Sequence, residues 1–354
     1  MKISRRQFVQ VLAVAGASAL LTACGGSSNN SAAGSTAASG AAAAAGGSFN
    51  LKLGHNLAED HAVHIQLTSF AEQVKEKTNG TVNIQIIPNG TLGSESDMIS
   101  QIQAGALDMA KVSASTLGNF SEKYNAFSVP YVFDDQAHYY TYMDSDSAQA
   151  VFESTDDQGF RGLTWLDSGA RSFYTKATAI RTPADLKGLK IRVQDMKSQT
   201  DMMNYLGGIP VAMSYGDVYT SLQTGIIDGT ENNETALTTG KHGEVCKVYS
   251  VDQHAMIPDV LIMSEKVWKQ ISPEDQEIIL EAAHNSTEAH KVMWDTAIEE
   301  AVKEAQETMG VEFVYDVDKE AFREATQPMI EAYENEYPGV KTLMDTIEAA
   351  REGE

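Results

Sequence analysis

Apolar residues recur along this chain with two different periods, and the periods take turns. Residues 49–54 and 81–87 mix apolar and polar side chains in the short, near-alternating pattern of strands. Between them Val63, Leu67, Phe70 and Val74 recur at spacings of four and three, which is one face of a helix over residues 60–77. Gly80 closes that helix, Ser94 is a cap for the next, through Gln103, and Gly105 ends it. Residues 107–112 then read as a third strand. Strand–helix–strand repeats of this kind predict right-handed crossovers and a largely parallel sheet, hence an α/β fold. Further strands are predicted at residues 162–166, 190–193, 260–263 and 311–315, the third of them placed to return to the first sheet. Ser272-Pro273-Glu274-Asp275 is a helix start, with Ser as cap and Pro in the first turn. It opens a helical run to Met309, far longer than the average of about 12 residues. A break near Asn285-Ser286 and one element bridging two lobes are both compatible with it.

The ends of the chain follow other rules. Lys2, Arg5 and Arg6 precede an apolar stretch from Phe8 to Leu21, and Leu21-Thr22-Ala23-Cys24 reads as a lipobox, so residues 1–24 are a lipoprotein signal peptide with Cys24 as the lipidated residue. The apolar stretch is shorter than the roughly 20 residues a spanning helix needs. The expected product is exported and anchored by lipid, facing the periplasm or cell exterior. Ser4-Arg5-Arg6-Gln7-Phe8 resembles a twin-arginine export signal, and an ordinary Sec signal with a chance Arg-Arg fits as well. Residues 25–48 are almost wholly Gly, Ala, Ser, Thr and Asn and read as a flexible linker. The remaining length exceeds what one compact core usually holds, so two lobes are expected.

Charge narrows the function classes. The chain carries 26 basic and 49 acidic residues, net −23, and loss of the three basic leader residues makes it more acidic still. Such a polyanion does not bind nucleic acid or anionic lipid through a basic surface. An anion site must be a local cluster, and four of the six arginines beyond the leader (Arg161, Arg171, Arg181, Arg192) fall within 32 residues. Arginine, unlike lysine, presents a planar fork that matches a carboxylate. Cys246 has no partner for an internal disulfide and reads as a small buried residue. The tyrosines at 139, 140 and 142 and the methionines at 196, 202 and 203 read as core.

Catalytic signatures are missing: no G-x-S-x-G elbow, Walker loop, G-x-G-x-x-G or H-E-x-x-H is present. His61 and His64 share a helix face, but no cysteine or spaced carboxylate supports zinc, and a solvated helix start is the plainer reading. No metal or cofactor is expected. His55 and Asn56 follow a strand end, where α/β folds bind ligands. Residues 186–233 are richer. A strand with one arginine (Arg192), a Gly-Gly turn, an apolar strand, a helix and an Asp228-Gly229 turn bring a guanidinium, the Tyr215 ring and the Asn232 amide to the ends of successive elements. Such a set suits holding an organic carboxylate.

Several motifs carry a resemblance. Gly90-Thr91-Leu92-Gly93-Ser94-Glu95, Gly105-Ala106-Leu107-Asp108, Val129-Pro130-Tyr131, the run from Asp185 to Val193 and the run from Val218 to Asn232 together resemble the DctP-type solute-binding subunit of TRAP (tripartite ATP-independent) transporters. The resemblance implies a two-lobed Venus-flytrap fold of the periplasmic-binding-protein kind, with a long helix spanning both lobes. Residues 49–168 with about 257–296 would form the first lobe, and 169–256 with about 297–354 the second. It also implies that Arg192 clamps the ligand carboxylate, that Arg171 is a second arginine of the site, that Tyr215 is an aromatic wall and that Asn232, Asn56 and Glu95 line the cleft. Gln194 and Ser113 are expected there as well. Ser113 and Thr116 stand where sialic-acid-type members carry Glu and Arg, which favours a smaller sugar acid or dicarboxylate. The expected function is capture of a uronate, aldonate or C4-dicarboxylate and its delivery to the small and large membrane subunits, by a monomer and without catalysis. A lipid-anchored carbohydrate-active enzyme and a sensory lipoprotein are the rivals.

Overall fold

The computed structural model describes residues 48–351; the segment expected to be a signal peptide, Cys24 and nearly all of the expected linker lie outside the described residues. Eleven strands follow in chain order: β1 (Phe49–Gly54), β2 (Val82–Ile87), β3 (Met109–Ser113), β4 (Phe160–Leu166), β5 (Ala170–Thr175), β6 (Lys190–Val193), β7 (Ile209–Ala212), β8 (Gly229–Asn232), β9 (Val248–Met256), β10 (Asp259–Ser264) and β11 (Glu312–Val314). They form two sheets, ordered β2-β1-β3-β10-β4 and β11-β9-β5-β8-β6-β7. The expected parallel pairs are present (β1 with β2 and β3, β6 with β7 and β8). β10 runs antiparallel between β3 and β4, as β5 does between β8 and β9. The architecture is two α/β lobes, one on each sheet.

Two short segments, residues 167–169 and 257–258, carry the chain between the sheets. Gly169 is in the left-handed region (φ +67°), and a Cβ there would lie 3.3 Å from the Trp294 ring. The third connection is the helix Pro273–Glu307. Ser272 caps it by accepting from the Asp275 N–H, and Pro273 occupies its first turn. It passes Asn285 and Ser286 without interruption, because Ser286 Oγ donates to Gln66 O across a buried interface. Ile279, Ala282 and Ala283 pack into the first lobe and Ala305 into the second. At 1.5 Å per residue the helix is about 50 Å long.

The last helix departs from the expected division. Lys319–Glu336 packs Phe322, Met329 and Tyr333 against the second sheet. Pro338–Arg351 returns to the first lobe, where Val340, Leu343 and Ile347 join Tyr139, Phe152 and Trp165. Tyr139, Tyr142, Met196, Met202, Met203 and Cys246 are buried, and burial pushes the Cys246 thiol up to about 12. Asp228-Gly229 is not a free turn: the Asp228 N–H donates to Lys190 O, and the pair leads straight into β8.

Candidate functional site

Between the sheets lies a cavity of about 410 Å³, lined from the first lobe by Asn56, Glu95, Lys111, Ser113, Thr116 and Asp259. The second lobe contributes Arg171, Arg192, Gln194, Tyr215 and Asn232. All the expected site residues therefore meet in one place except His55. That imidazole is fully buried behind the wall: its Nδ1 accepts from the Leu57 N–H, and its Nε2 pairs with His64 Nδ1 at 3.0 Å. Burial, with Lys111 and His64 nearby, lowers its pKa to about 3.

Arg192 is the one polar side chain facing inward from β6, and only 3% of it is exposed. Its Nε and Nη2 donate to Met213 O at 3.0 and 2.8 Å. Among the described residues no carboxylate pairs with it. Burial lowers its pKa, Glu231 pulls it back up, and Arg171 lowers it further. Arg171, on β5, is engaged: Nε and Nη2 grip Glu231 at 2.5 and 3.0 Å, Nη2 also reaches Glu231 O, and Nη1 donates to Asn232 Oδ1 at 3.0 Å. Burial disfavours the Glu231 charge, but Arg171 and His254 outweigh it and hold Glu231 near 2. The two arginines thus differ in role: one is locked to the protein, the other faces the cavity without a counter-ion.

The network continues behind the wall. His254 Nδ1 donates to Asp252 Oδ2 at 2.7 Å, and its Nε2 lies 3.5 Å from Glu231. Burial opposes a charged His254, yet Asp252 and Glu231 lift its pKa to about 9. Arg171, Glu231, His254 and Asp252 therefore alternate in sign beneath the cavity.

Direct bonds join the two walls. Gln194 Nε2 donates to Ser113 Oγ at 3.0 Å, while its Oε1 is buried with no partner among the described residues. His61 Nδ1 accepts from the Val63 N–H, so its Nε2 carries the proton and donates to Thr235 Oγ1 at 3.1 Å, which donates on to Asn233 Oδ1. His61 and His64 thus serve separate bonds. Tyr215 sits at the cavity edge with its ring 5.5 Å from that of His242, and burial raises its hydroxyl to about 12.

Lys111, Asp259 and Thr235 were not among the expected residues. Lys111 had a readable signal, since it is a lone cation inside an apolar strand just as Arg192 is. Asp259 opens an apolar strand in the same way. His61 reads as part of a solvated helix start but is buried, because its ring bonds Thr235 of the opposite lobe.

The profile of bacterial extracellular solute-binding protein family 7 (DctP) matches residues 53–336. The chain belongs to this family. It is a DctP-type solute-binding protein of the TRAP class. YiiZ of Salmonella typhimurium is 42% identical over 283 residues, covering 80% of this chain and 86% of that protein. The TRAP solute-binding protein of Anaerococcus prevotii, solved with bound α/β-D-glucuronate, is 38% identical with a TM-score of 0.83 over 86% of this chain and 98% of that one. That of Sulfitobacter sp. NAS-14.1, solved with β-D-galacturonate, is 34% identical with a TM-score of 0.81, covering 84% and 99%. Among the described residues no helix is long and apolar enough to cross a membrane.

Proposed function

We propose that this chain is the lipid-anchored, extracytoplasmic receptor of a TRAP permease, and that its cleft captures a sugar acid. Arg192 anchors the ligand carboxylate. One observation carries this reading: a nearly buried guanidinium faces the cavity with N–H groups unengaged and no carboxylate among the described residues to neutralise it. A buried charge without a counter-ion costs several kcal/mol, which an anionic ligand recovers when it enters. The polar lining, the Tyr215 ring and the unpartnered Gln194 Oε1 suit a hydroxylated ligand, and the glucuronate and galacturonate bound by the two solved relatives support that class.

Closure follows from the same geometry. Bonding across the cleft between Gln194 and Ser113, and between His61 and Thr235, adds to what the ligand contributes from both walls. A ligand that touches both lobes binds the closed form better and shifts the population toward it. The closed receptor then docks on the membrane subunits. A thermal-shift screen across uronates, aldonates, C4-dicarboxylates and neutral sugars tests the reading. Uronates are expected to raise the melting temperature and neutral sugars to leave it unchanged. A response to neutral sugars equal to that for uronates would refute the anion anchor.

A further inference from the structure

The hydrogen bonds already made on the two walls limit how many carboxylates this cleft can neutralise. An ammonium has three N–H donors. Lys111, 2% exposed on β3, directs them to Asn56 Oδ1 at 3.3 Å, Glu95 Oε1 at 3.4 Å and Asp259 Oδ2 at 3.0 Å. None is left for a ligand. Burial disfavours the Lys111 charge, but Asp259 and Glu95 more than offset this and its pKa is raised. Glu95 is saturated too: Oε1 accepts from Asn56 Nδ2 and Lys111, and Oε2 from the Ser113 N–H and Thr116 Oγ1.

Asp259 is different. Its Oδ2 takes the Lys111 bond, while Oδ1 has no partner among the described residues, and the residue lines the cavity. On the opposite wall, a guanidinium has five N–H donors. Arg171 engages all but one of them, whereas Arg192 uses only Nε and one Nη2 donor. Among the buried groups of the lining, the unengaged cationic donors thus all belong to the second lobe and the unengaged carboxylate oxygen to the first; the other lining carboxylates, Asp97, Asp195 and Asp217, are exposed.

We propose that this polarity restricts the cleft to ligands with one carboxylate: Arg192 takes it, Asp259 Oδ1 accepts a hydroxyl at the ligand's other end, and Lys111 is the positioning residue that holds Asp259 in place. A second carboxylate at that end meets Asp259 and Glu95 with no unengaged cation on their wall. Like charges placed together in an interface cost several kcal/mol. The receptor therefore selects uronates over aldarates, which carry a carboxylate at both ends of the same carbon skeleton. This rests on the sugar-acid reading above and adds the charge rule and the residues that enforce it.

The test is calorimetry on the full-length protein at neutral pH with D-glucuronate and D-glucarate. Wild type is expected to prefer glucuronate by about 100-fold or more, on the order of 3 kcal/mol. Asp259→Asn removes the charge while keeping the shape, and should narrow the ratio to below about tenfold, with glucarate gaining. Glu95→Gln, tested alongside, should narrow it in the same direction. Glucarate binding within tenfold of glucuronate in the wild type would overturn the proposal, as would a ratio unmoved in both variants. Uronate binding with such a result strikes this proposal alone. Failure of the wild type to bind any sugar acid removes the sugar-acid reading and this one with it.

Discussion

Replacing Arg192 by Met keeps the length of the apolar stem and deletes only the guanidinium. Three of the five N–H donors of Arg192 are unengaged, and a carboxylate can take two of them as a planar fork. Charge-assisted bonds contribute about 1.5–3 kcal/mol each, so two of them amount to about 3–6 kcal/mol. At about 1.4 kcal/mol per decade, affinity should fall by at least about 100-fold. Stability should respond differently. The substitution deprives Met213 O of two donors but also removes a buried cation that has no counter-ion, and these effects oppose each other. The ligand-free melting temperature is therefore expected to stay within about 4 °C of wild type. Calorimetry with D-glucuronate and a melt of the ligand-free variant measure the two halves. A Kd within tenfold of wild type would refute the anchor assignment. A collapse of the melt would show that Arg192 is there to hold the fold.

Two further expectations concern the scaffold. A Cβ at Gly229 would lie 2.5 Å from Tyr174 O, a backbone atom that cannot rotate away, so Gly229→Ala should cost about 1–3 kcal/mol or more in a urea melt and displace β8 with Glu231 and Asn232. An unchanged midpoint would contradict the packing. The His254 pKa is raised from 6.5 to about 9, so its contribution to stability is fully present below pH 6.5 and lost as pH rises through 9. His55, His61 and His242 are lowered to about 3, so the unfolded chain takes up their protons first and stability falls as pH drops from 6.5 toward 3. Melting temperature should therefore peak near pH 6.5, and His254→Gln should flatten the alkaline side. An alkaline slope identical in wild type and variant would show that His254 does not carry it.

Much of the fold was legible because most elements keep one period. β1, β2, the helix Ala62–Lys77 and β6 bury one face or both, and their apolar positions say so. β9 was not predicted, because Asp252 and His254 lie inside it, buried as part of the charged network and invisible to a hydrophobic pattern. In the cavity, Lys111 and Asp259 were missed as well. Each stands against apolar neighbours as Arg192 does, but the ion pair between them exists only when β3 and β10 lie side by side, which joins residues 148 positions apart. His55 was misplaced by one residue's worth of geometry: along a strand end, successive side chains face opposite sides, and Asn56 took the cavity side.

The return of the last helix to the first lobe bears on how the chain comes to be folded at all. The core around Trp165 is completed by Val340, Leu343 and Ile347, which follow every strand of both sheets along the chain. The long helix, meanwhile, contributes side chains to the cores of both lobes. The first lobe is thus a discontinuous unit, whose core needs the helix Pro338–Arg351 as much as it needs its own strands.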